Sequence, residues 1–313
     1  MSHFEPTGTG EGYPKTPVTI AAIIVYHPCL EALASLIQCL RAQVDEICLV
    51  INAAQPGLLH ALYGLGVTEG GVFSIPMAHN VGVASAQNAC IRYAIKKGFQ
   101  RILLLDQDSM PASDMVSELG LALTHAPKAA AVGPSYTDPR QVIKSPFLRF
   151  EGLRLRRLSR HDGAVVAVDY LISSGCLISL SALSEIGLMR DDLFIDYVDI
   201  EWGLRANAKG YKIYGVFSAR MDHSLGEKPV TFFSLNVSMH SPIRNYYLFR
   251  NAILLYRENW IPLNWKLTDG WRLGRRLFFY LIFGGSFVKR VSMICLGLVH
   301  GISNRSGPIE KYS

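Results

Sequence analysis

Two carboxylates, Asp106 and Asp108, follow a run of apolar residues in the stretch 101–109, RILLLDQDS. A short, uninterrupted apolar run bounded by polar residues predicts a strand that is buried on both faces. The carboxyl ends of such strands form the edge at which an open parallel sheet binds its ligands. Burying two carboxylates there is costly without a cation. The pattern therefore favours a divalent metal with a phosphate-bearing substrate over a solvated Asp pair that caps the next helix.

The residue types around this pair narrow the choice of metal. A site with few protein oxygen ligands, completed by phosphates and water, is typical of Mg²⁺ or Mn²⁺. Asn52 ends a neighbouring predicted strand and would meet the same edge of the sheet. His223 follows a later predicted strand, in a polar turn at residues 220–223. It is either a structural histidine or, as a neutral imidazole, a further metal ligand.

A second acidic segment contains Asp196, Asp199 and Glu201, interleaved with aromatic residues. Asp199 stands where a predicted loop becomes a helix, so it is either a helix cap or a general base. We favour the base, because an ionised carboxylate beside a diphosphate can accept a proton from an attacking hydroxyl group. For Asp196 and Glu201 the sequence favours neither a capping role nor a functional one.

Strands and helices alternate through the first half of the chain, which predicts βαβ units and a mainly parallel sheet in an α/β fold. A turn at residues 79–82 leads into a helix of small residues at 83–97, whose N-terminus could bring backbone N–H groups close to an anion. Gly98 is expected to end that helix. The predicted strands are residues 18–26, 46–52, 72–76, 101–108 and 129–134, and an amphipathic helix is predicted at 30–44.

The second half of the chain has a different order, with a basic, polar insert followed by mixed elements. The sequence predicts three domain-level regions: a disordered tail at residues 1–17, a catalytic domain at 18–258, and a basic, apolar and helical C-terminal region at 259–313. The insert is residues 147–162, the predicted strands are 165–170, 176–180 and 211–217, and the predicted helices follow 193–209 and 243–258.

The composition of the chain limits its possible partners and its location. Half of the 313 residues are apolar, and the formal net charge of +6 with a pI near 9.0 suits an anionic substrate, a nucleic acid or an acidic membrane surface. Six cysteines without a CxxC pair or regular spacing predict small buried thiols in a reducing compartment. The N-terminal residues lack a basic-then-apolar signal pattern, and the expected location is cytoplasmic.

Two apolar runs in the C-terminal region, residues 277–288 and 291–299, are each shorter than the roughly 20 residues of a spanning helix. They predict either an amphipathic segment at a membrane surface, which we favour, or helices that pack on the catalytic domain. The flanking cations are Arg272, Arg275, Arg276, Lys289 and Arg290.

The motifs together resemble the inverting glycosyltransferases of family two, which have the GT-A fold, and among them the bacterial dTDP-rhamnosyltransferases. The similarity extends over about residues 18–258 and depends on four pieces in order: Asn80-Val81-Gly82 with Asn88, LLLDQDS, FIDYVDIEWGLRA, and Asp222-His223. The resemblance implies a Rossmann-like, mostly parallel central sheet with a smaller mixed sheet and a C-terminal helical extension.

The same resemblance implies roles for individual residues. Asp199 would be the catalytic base, Asp108 and His223 would hold Mg²⁺ or Mn²⁺, and Asp106 would lie near the ribose. Gln107 stands in the middle of the DxD motif, where many relatives carry Asp. The implied nucleotide-sugar contacts are Tyr26, Asn52, Asn80, Asn88, Asp106 and Gln107. Possible acceptor contacts or supporting residues are Asp196, Glu201, Trp202 and Arg250.

The implied activity is transfer of rhamnose from dTDP-L-rhamnose to a glycan acceptor, which is expected to be lipid-linked and to belong to O-antigen or another surface polysaccharide. No nucleic acid partner is expected, and the protein would lie at the cytoplasmic face of the inner membrane. Two alternatives stay open. One is the same fold with another donor, such as UDP-galactofuranose, and the other is a non-catalytic scaffold that binds nucleotide or carbohydrate.

Overall fold

A computed structural model of the protein describes most of the chain, and the predicted tail at residues 1–17 lies outside the described residues. So do residues 310–313 at the end of the predicted C-terminal region. The described residues are 18–53, 56–64, 70–138, 143–144, 147–223, 230–232, 235–237, 240–283 and 287–309.

Strands and helices alternate in the first part of the chain, as predicted. The helix of small residues has the predicted bounds, and Gly98 follows it in the left-handed conformation with φ 78°. One short helix, α2, was not predicted. The elements are β1 Thr19–Val25, α1 Leu30–Leu40, β2 Glu46–Ile51, α2 Leu58–Gly64, β3 Val72–Pro76, α3 Val83–Lys97, β4 Arg101–Asp106, β5 Ser109–Pro111, α4 Met115–His125 and β6 Ala129–Asp138.

The second part combines short strands with longer helices. The basic insert forms a hairpin, β8–β9. The elements are β7 Ile143–Lys144, β8 Phe147–Glu151, β9 Arg154–Leu158, β10 Val165–Val168, β11 Cys176–Ser179, α5 Leu180–Ile186, α6 Val198–Ala208, β12 Lys212–His223, β13 Val230–Phe232, β14 Leu235–Val237, α7 Pro242–Tyr256, α8 Leu263–Phe283 and α9 Phe287–Ile302.

The central sheet has the strand order β10-β12-β6-β11-β4-β1-β2-β3. Strands β4, β1, β2 and β3 pair in parallel, whereas β11 runs antiparallel to both β4 and β6. Strand β12 pairs in parallel with β6 and antiparallel with β5 and β10. The predicted α/β fold with a mainly parallel central sheet and additional mixed strands is confirmed, and β8–β9 and β13–β14 form two further, two-stranded sheets.

Burial on both faces explains why β1 is an unbroken apolar run. Ile20 and Ile24 point into the core on one side of the sheet, and Ile23 and Val25 point into the core on the other. Small residues of α3, among them Ala86, let that helix pack closely on the first of these faces. The sheet is thereby held rigidly from both sides, and its carboxyl edge has a fixed geometry.

The predicted polar turn at residues 220–223 is wrong, because these residues form the end of β12. Burial alternates along this segment: Met221 and His223 are buried, whereas Arg220 and Asp222 are exposed. This period of two is that of a half-buried strand. Pairing with β5 therefore brings His223 opposite Ser109, directly beyond the two predicted metal-binding carboxylates.

The prediction that the cysteines are buried thiols holds for only part of the set. Cys48, Cys90 and Cys176 are buried, whereas Cys29 and Cys295 are exposed. All six are free thiols in the structure.

The C-terminal helices pack on the rest of the protein. Gly297 and Gly301 of α9 lie against α7, and a Cβ at Gly297 would come within 2.5 Å of the Tyr246 carbonyl oxygen. Trp265 and Tyr280 of α8 belong to the same buried cluster as one face of the sheet. Among the described residues, no helix combines the length and apolar character needed to cross a membrane.

Candidate active site

The turn after β3 is joined to the end of β2 by side-chain amides. Asn52 Nδ2 donates to Asn80 Oδ1 over 3.1 Å, and the Val81 N–H donates to Asn52 Oδ1 over 2.9 Å. The Gly82 N–H also donates to Asn80 Oδ1. The two asparagines therefore fix the entry to α3, where both were predicted to contact the nucleotide-sugar.

Gln107, between the two carboxylates, has its side-chain amide occupied by the backbone of Tyr26. Gln107 Oε1 accepts from the Tyr26 N–H at 2.6 Å, and Gln107 Nε2 donates to the Tyr26 carbonyl oxygen at 2.9 Å. This pair of bonds ties the end of β4 to the end of β1. Tyr26 itself is 46% exposed at the end of β1, where an aromatic ring is free to stack on a planar base.

Asp106, Asp108 and His223 form one compact group whose potential ligand atoms all lie within 4.8 Å of one another. His223 Nε2 is 3.8 Å from Asp106 Oδ2, and His223 Nδ1 is 3.6 Å from Asp108 Oδ1. The imidazole is buried, whereas about half of each carboxylate side chain is exposed and leaves room for phosphate and water. Two carboxylates and an imidazole are a donor set that suits Mn²⁺ or Mg²⁺.

Electrostatics also favour a cation at this group. Partial burial in the cleft raises the pKa of Asp106, and the neighbouring charge of Asp108 raises it further, while His223 and Arg244 act in the opposite direction. A bound divalent ion would favour both ionised carboxylates.

Two buried serines orient the imidazole, and sequence analysis did not identify them as site residues. Ser109 Oγ lies 3.1 Å from His223 Nδ1 and contacts the Ser174 hydroxyl, which accepts from the Asp106 N–H at 3.1 Å. A proton on Nδ1 that is donated to Ser109 leaves the lone pair of Nε2 free for a metal. The only sequence signal was that Ser109 directly follows the DQD motif.

Replacing Ser109 by Ala is expected to weaken Mn²⁺ binding by about 10-fold or more, because the imidazole loses the partner that fixes its tautomer and orientation. Titration of the protein with Mn²⁺, followed by electron paramagnetic resonance of the free ion, measures this affinity directly. Ser184→Ala, at an exposed serine of α5, is the matched control. Equal affinities of the Ser109→Ala and wild-type proteins would contradict the orienting role.

Asp199 lines the same cleft as Asp106 and His223, a cavity of about 470 Å³. Burial raises the pKa of Asp199 to about 6, a value that the N–H of Ile200 lowers in part and the nearby carboxylate of Asp196 raises. A carboxylate with this pKa is ionised at neutral pH but is a stronger base than an ordinary aspartate. Its position and pKa both fit the predicted general base.

The loop before Asp199 has an unusual backbone. Phe194, Asp196 and Tyr197 have φ values of 67°, 61° and 64°, in the left-handed region that side chains other than glycine rarely adopt. Each such residue costs on the order of 1 kcal/mol. The surrounding structure must therefore hold this loop in place.

Asn251 of α7 supplies most of that restraint. Its Nδ2 atom donates to the carbonyl oxygens of Leu193, Ile195 and Asp196 at 2.8–3.0 Å. Arg244 lies two turns before Asn251 on the same face of α7 and forms an ion pair with the Asp196 carboxylate at 3.1 Å. Helix α7 thus fixes the path of the loop and the start of α6.

Gly82 allows α3 to approach this loop from the other side. Its φ of 82° favours glycine, and a Cβ there would lie 2.5 Å from the Phe194 carbonyl oxygen. That oxygen accepts from the Val83 N–H at 2.8 Å. The turn Asn80-Val81-Gly82, called the NVG turn below, is therefore in direct contact with the loop that carries the base.

Four predicted site residues are bonded within the protein and lie outside the cleft that Asp199 lines with Asp106 and His223. Asn88 bonds through both amide atoms to the backbone of Met189, and Trp202 Nε1 donates to the Gly187 carbonyl oxygen. The other two, Glu201 and Arg250, are also buried and internally bonded: Glu201 pairs with Arg205 at 2.8 Å, and Arg250 donates to the carbonyl oxygens of Asp192, Leu193 and Gly307. We assign all four a supporting role.

The opposite wall of the cleft is cationic, and sequence analysis had placed most of it in the C-terminal region. Arg244 comes from α7, and Arg272 and Arg276 come from α8. Arg276 forms no hydrogen bond or ion pair with the residues that the structure describes. Burial, together with the nearby charge of Arg244, lowers the pKa of His240 to about 4, so this cleft residue is neutral at pH 7.

A second large cavity, of about 730 Å³, opens behind β5 and β12. It is lined by Met110 and Asp222, whose side chains point away from the His223 face of the same strands. It therefore does not share the metal group, although it is larger than the cleft that contains Asp199.

The comparisons with known proteins fit this geometry. The family model for glycosyl transferase family 2 matches residues 21–185. The chain is 33% identical over 245 residues to the dTDP-rhamnosyl transferase RfbF of Shigella flexneri, which covers 78% of this chain and 81% of that protein. It is 24% identical over 245 residues to the low-salt glycan biosynthesis hexosyltransferase Agl10 of Haloferax volcanii, covering 74% and 76%.

Solved structures share the fold at low sequence identity. The structure of GalNAc-T7 with UDP, GalNAc and Mn²⁺ superposes with a TM-score of 0.63 at 12% identity, over 92% of this chain but only 56% of that one. Residues 1–349 of S. aureus TarS in complex with UDP-GlcNAc give a TM-score of 0.56 at 13% identity, over 92% and 81%. The GT-A fold that the resemblance implied is confirmed, and the chain belongs to glycosyl transferase family 2.

Proposed function

We propose that this glycosyltransferase is metal-dependent and inverting, and that it moves rhamnose from dTDP-L-rhamnose to a hydroxyl group of a glycan acceptor. The observation that carries the proposal is the shared cleft: Asp199 lines the same cavity as Asp106 and His223. Inverting glycosyl transfer needs a base for the acceptor hydroxyl and a group that stabilises the leaving diphosphate, and a metal group can supply the second. The similarity to a dTDP-rhamnosyl transferase supports the choice of donor.

Asp108 and His223 would hold Mg²⁺ or Mn²⁺, and Asp106 would adjoin them at the ribose. When bound, the ion neutralises the diphosphate that leaves. Tyr26, Asn52 and Asn80 shape the neighbouring edge of the sheet, where the nucleotide would bind. These assignments keep the donor diphosphate at the ends of β4 and β12, next to the cleft that opens towards α6.

Asp199 would act on the acceptor. Its carboxylate accepts the proton of the acceptor hydroxyl as that oxygen forms a bond to the anomeric carbon. The bond from the anomeric carbon to the diphosphate oxygen breaks on the opposite face, and the electron pair leaves with the diphosphate. In-line displacement inverts the anomeric centre. The two functions are thus separated: the metal group stabilises the leaving group, and Asp199 deprotonates the nucleophile.

A donor panel tests this function. Purified protein with Mn²⁺ should consume dTDP-L-rhamnose faster than UDP-galactofuranose or UDP-N-acetylglucosamine by at least about 10-fold, a difference of about 1.4 kcal/mol in transition-state binding. EDTA should stop the reaction. Faster consumption of UDP-galactofuranose would mean that this nucleotide-sugar, and not dTDP-L-rhamnose, is the donor. Nucleotide binding that is indifferent to EDTA, without turnover of any donor, would identify a non-catalytic scaffold.

We also propose where the reaction takes place. The acceptor would be a lipid-linked glycan for O-antigen or another surface polysaccharide, and the protein would lie peripherally on the cytoplasmic face of the inner membrane. The net charge of +6 and the basic C-terminal helices support this location.

A further inference from the structure

One side of α8 is an apolar stripe that no described residue covers. Its members recur four or seven residues apart and are each more than half exposed; Trp271, at 71%, is the most exposed of them. With about 100° between successive residues, they fall within an arc of roughly 100° and run for nearly 30 Å along the helix. We call this surface the α8 stripe: Leu263, Leu267, Trp271, Phe278 and Ile282.

The other side of the same helix faces the protein. Trp265 and Tyr280 are buried in the core, and Arg272 and Arg276 line the catalytic cleft. The inner side of the helix thus combines buried aromatic residues with arginines at the cleft, whereas its outer side is apolar and exposed. Exposed apolar surface of this extent marks a contact with a partner.

Exposed cations border the stripe, and acids are lacking there. Arg275 lies beside the stripe in the middle of α8, and Lys289 lies near the start of α9 beside the exposed Phe287 and Val288. Helices α8 and α9 together contain one acidic residue, Asp269, and it lies on the cleft side, where it accepts from two tyrosine hydroxyls. The outer surface is therefore apolar and positively charged.

This charge pattern decides between possible occupants. A second copy of the chain, stacked stripe to stripe, would bring Arg275 and Lys289 towards like charges without an acid to pair with. An anionic lipid surface accepts apolar side chains between its acyl chains and supplies phosphates for the cations.

We infer that the α8 stripe is the surface by which the protein docks on an anionic membrane, with α8 lying in the plane of the lipid headgroups. This inference deepens the peripheral location in the proposed function. Because the same helix carries Arg272 and Arg276 on its inner side, docking would hold the catalytic cleft next to the headgroup layer. A hydroxyl close to the lipid anchor of an acceptor could then reach Asp199 without leaving the membrane surface.

Vesicle binding tests the inference without donor or acceptor, so its outcome is independent of glycosyl transfer. The full-length protein should sediment with vesicles of phosphatidylcholine and phosphatidylglycerol. Trp271→Ser combined with Phe278→Ser should weaken this binding at least 10-fold. Leu121→Ser, which removes an equally exposed leucine from α4, is the matched control and should bind as the wild type does. Thermal unfolding of each variant shows that it is folded.

Two further measurements define the contact. Arg275→Gln with Lys289→Gln should lower binding to anionic vesicles but leave binding to pure phosphatidylcholine unchanged. Vesicles should shift the tryptophan emission to the blue, and Trp271→Phe should abolish this shift while retaining binding, since Trp202 and Trp265 are buried and Trp260 is half-buried with its Nε1 donating to Glu258. Wild-type binding by the Trp271→Ser/Phe278→Ser protein would overturn the inference. So would a dimer in solution that this double variant dissociates, because a second copy would then be the occupant.

Discussion

Asp199→Asn is expected to lower the rate of sugar transfer by about 10²- to 10⁴-fold, the usual contribution of a positioned general base. The amide has nearly the shape of the carboxylate and can still accept from the Ile200 N–H that Asp199 Oδ1 now holds at 2.9 Å. What it cannot do is take the acceptor proton. The affinity for the donor should therefore be unchanged, whereas the rate of turnover should fall.

Single-turnover kinetics and calorimetric titration with the dTDP-sugar separate these two effects. Asp222→Asn is the matched control, because Asp222 is an exposed carboxylate one residue from His223 that points to the other side of β12. It should turn over like the wild type. Undiminished turnover by Asp199→Asn with normal donor binding would remove Asp199 from the mechanism.

The raised pKa of Asp199 gives two pH effects of opposite sign. Activity should rise with pH through about 6, as the base becomes ionised. Stability should show the reverse, because the fold favours the protonated form of a carboxyl whose pKa is raised from 3.8 to about 6. That contribution is complete below pH 3.8 and is lost as the pH rises through 6. Asp199→Asn should therefore be more stable than the wild type at pH 8, by on the order of 1–3 kcal/mol, and no more stable at pH 3.5.

Loss of the metal group should lower turnover about as much as loss of the base Asp199. His223→Ala with Asp108→Asn is expected to reduce Mn²⁺ affinity by at least about 100-fold and turnover by about 10³-fold, since charge neutralisation of a leaving diphosphate contributes several kcal/mol. The double variant removes a buried imidazole and an exposed carboxylate but leaves β4 and its parallel partners intact.

Manganese titration followed by electron paramagnetic resonance measures the affinity, and donor consumption with and without EDTA measures the consequence. Asp114→Asn controls for loss of a negative charge, since Asp114 is exposed and makes no capping bond at the start of α4. Full, EDTA-sensitive activity of the double variant would mean that another group binds the metal.

Local signals in the sequence were enough to predict the parallel half of the fold. Strand β4 was visible as an apolar run that ends in Asp106, and α3 was predicted with its bounds because small residues and Gly98 define it without help from distant contacts. The same locality explains why Asp106, Asp108 and Asp199 could be chosen from the sequence. Each stands where one type of element visibly ends or begins.

Features that depend on contacts between distant segments were missed. The extension of β12 to His223 requires pairing with β5 and β6, and the contact of Ser109 with Ser174 joins residues 65 positions apart. The faces of α8 were also hidden, since Trp265 and Trp271 are the same residue type on one helix, yet one is buried and the other exposed. Hydropathy alone cannot tell which side of a helix the rest of the protein covers.

The strained loop before Asp199 has a consequence for engineering new specificity. Because three left-handed residues are held by Asn251 on one side and by the close approach of Gly82 on the other, the loop cannot be moved alone into another scaffold. A chimera that receives residues 193–199 without the NVG turn and α7 would let the loop relax, and the base would point elsewhere. These three stretches, far apart in the chain, form one transplantable unit and should be exchanged together.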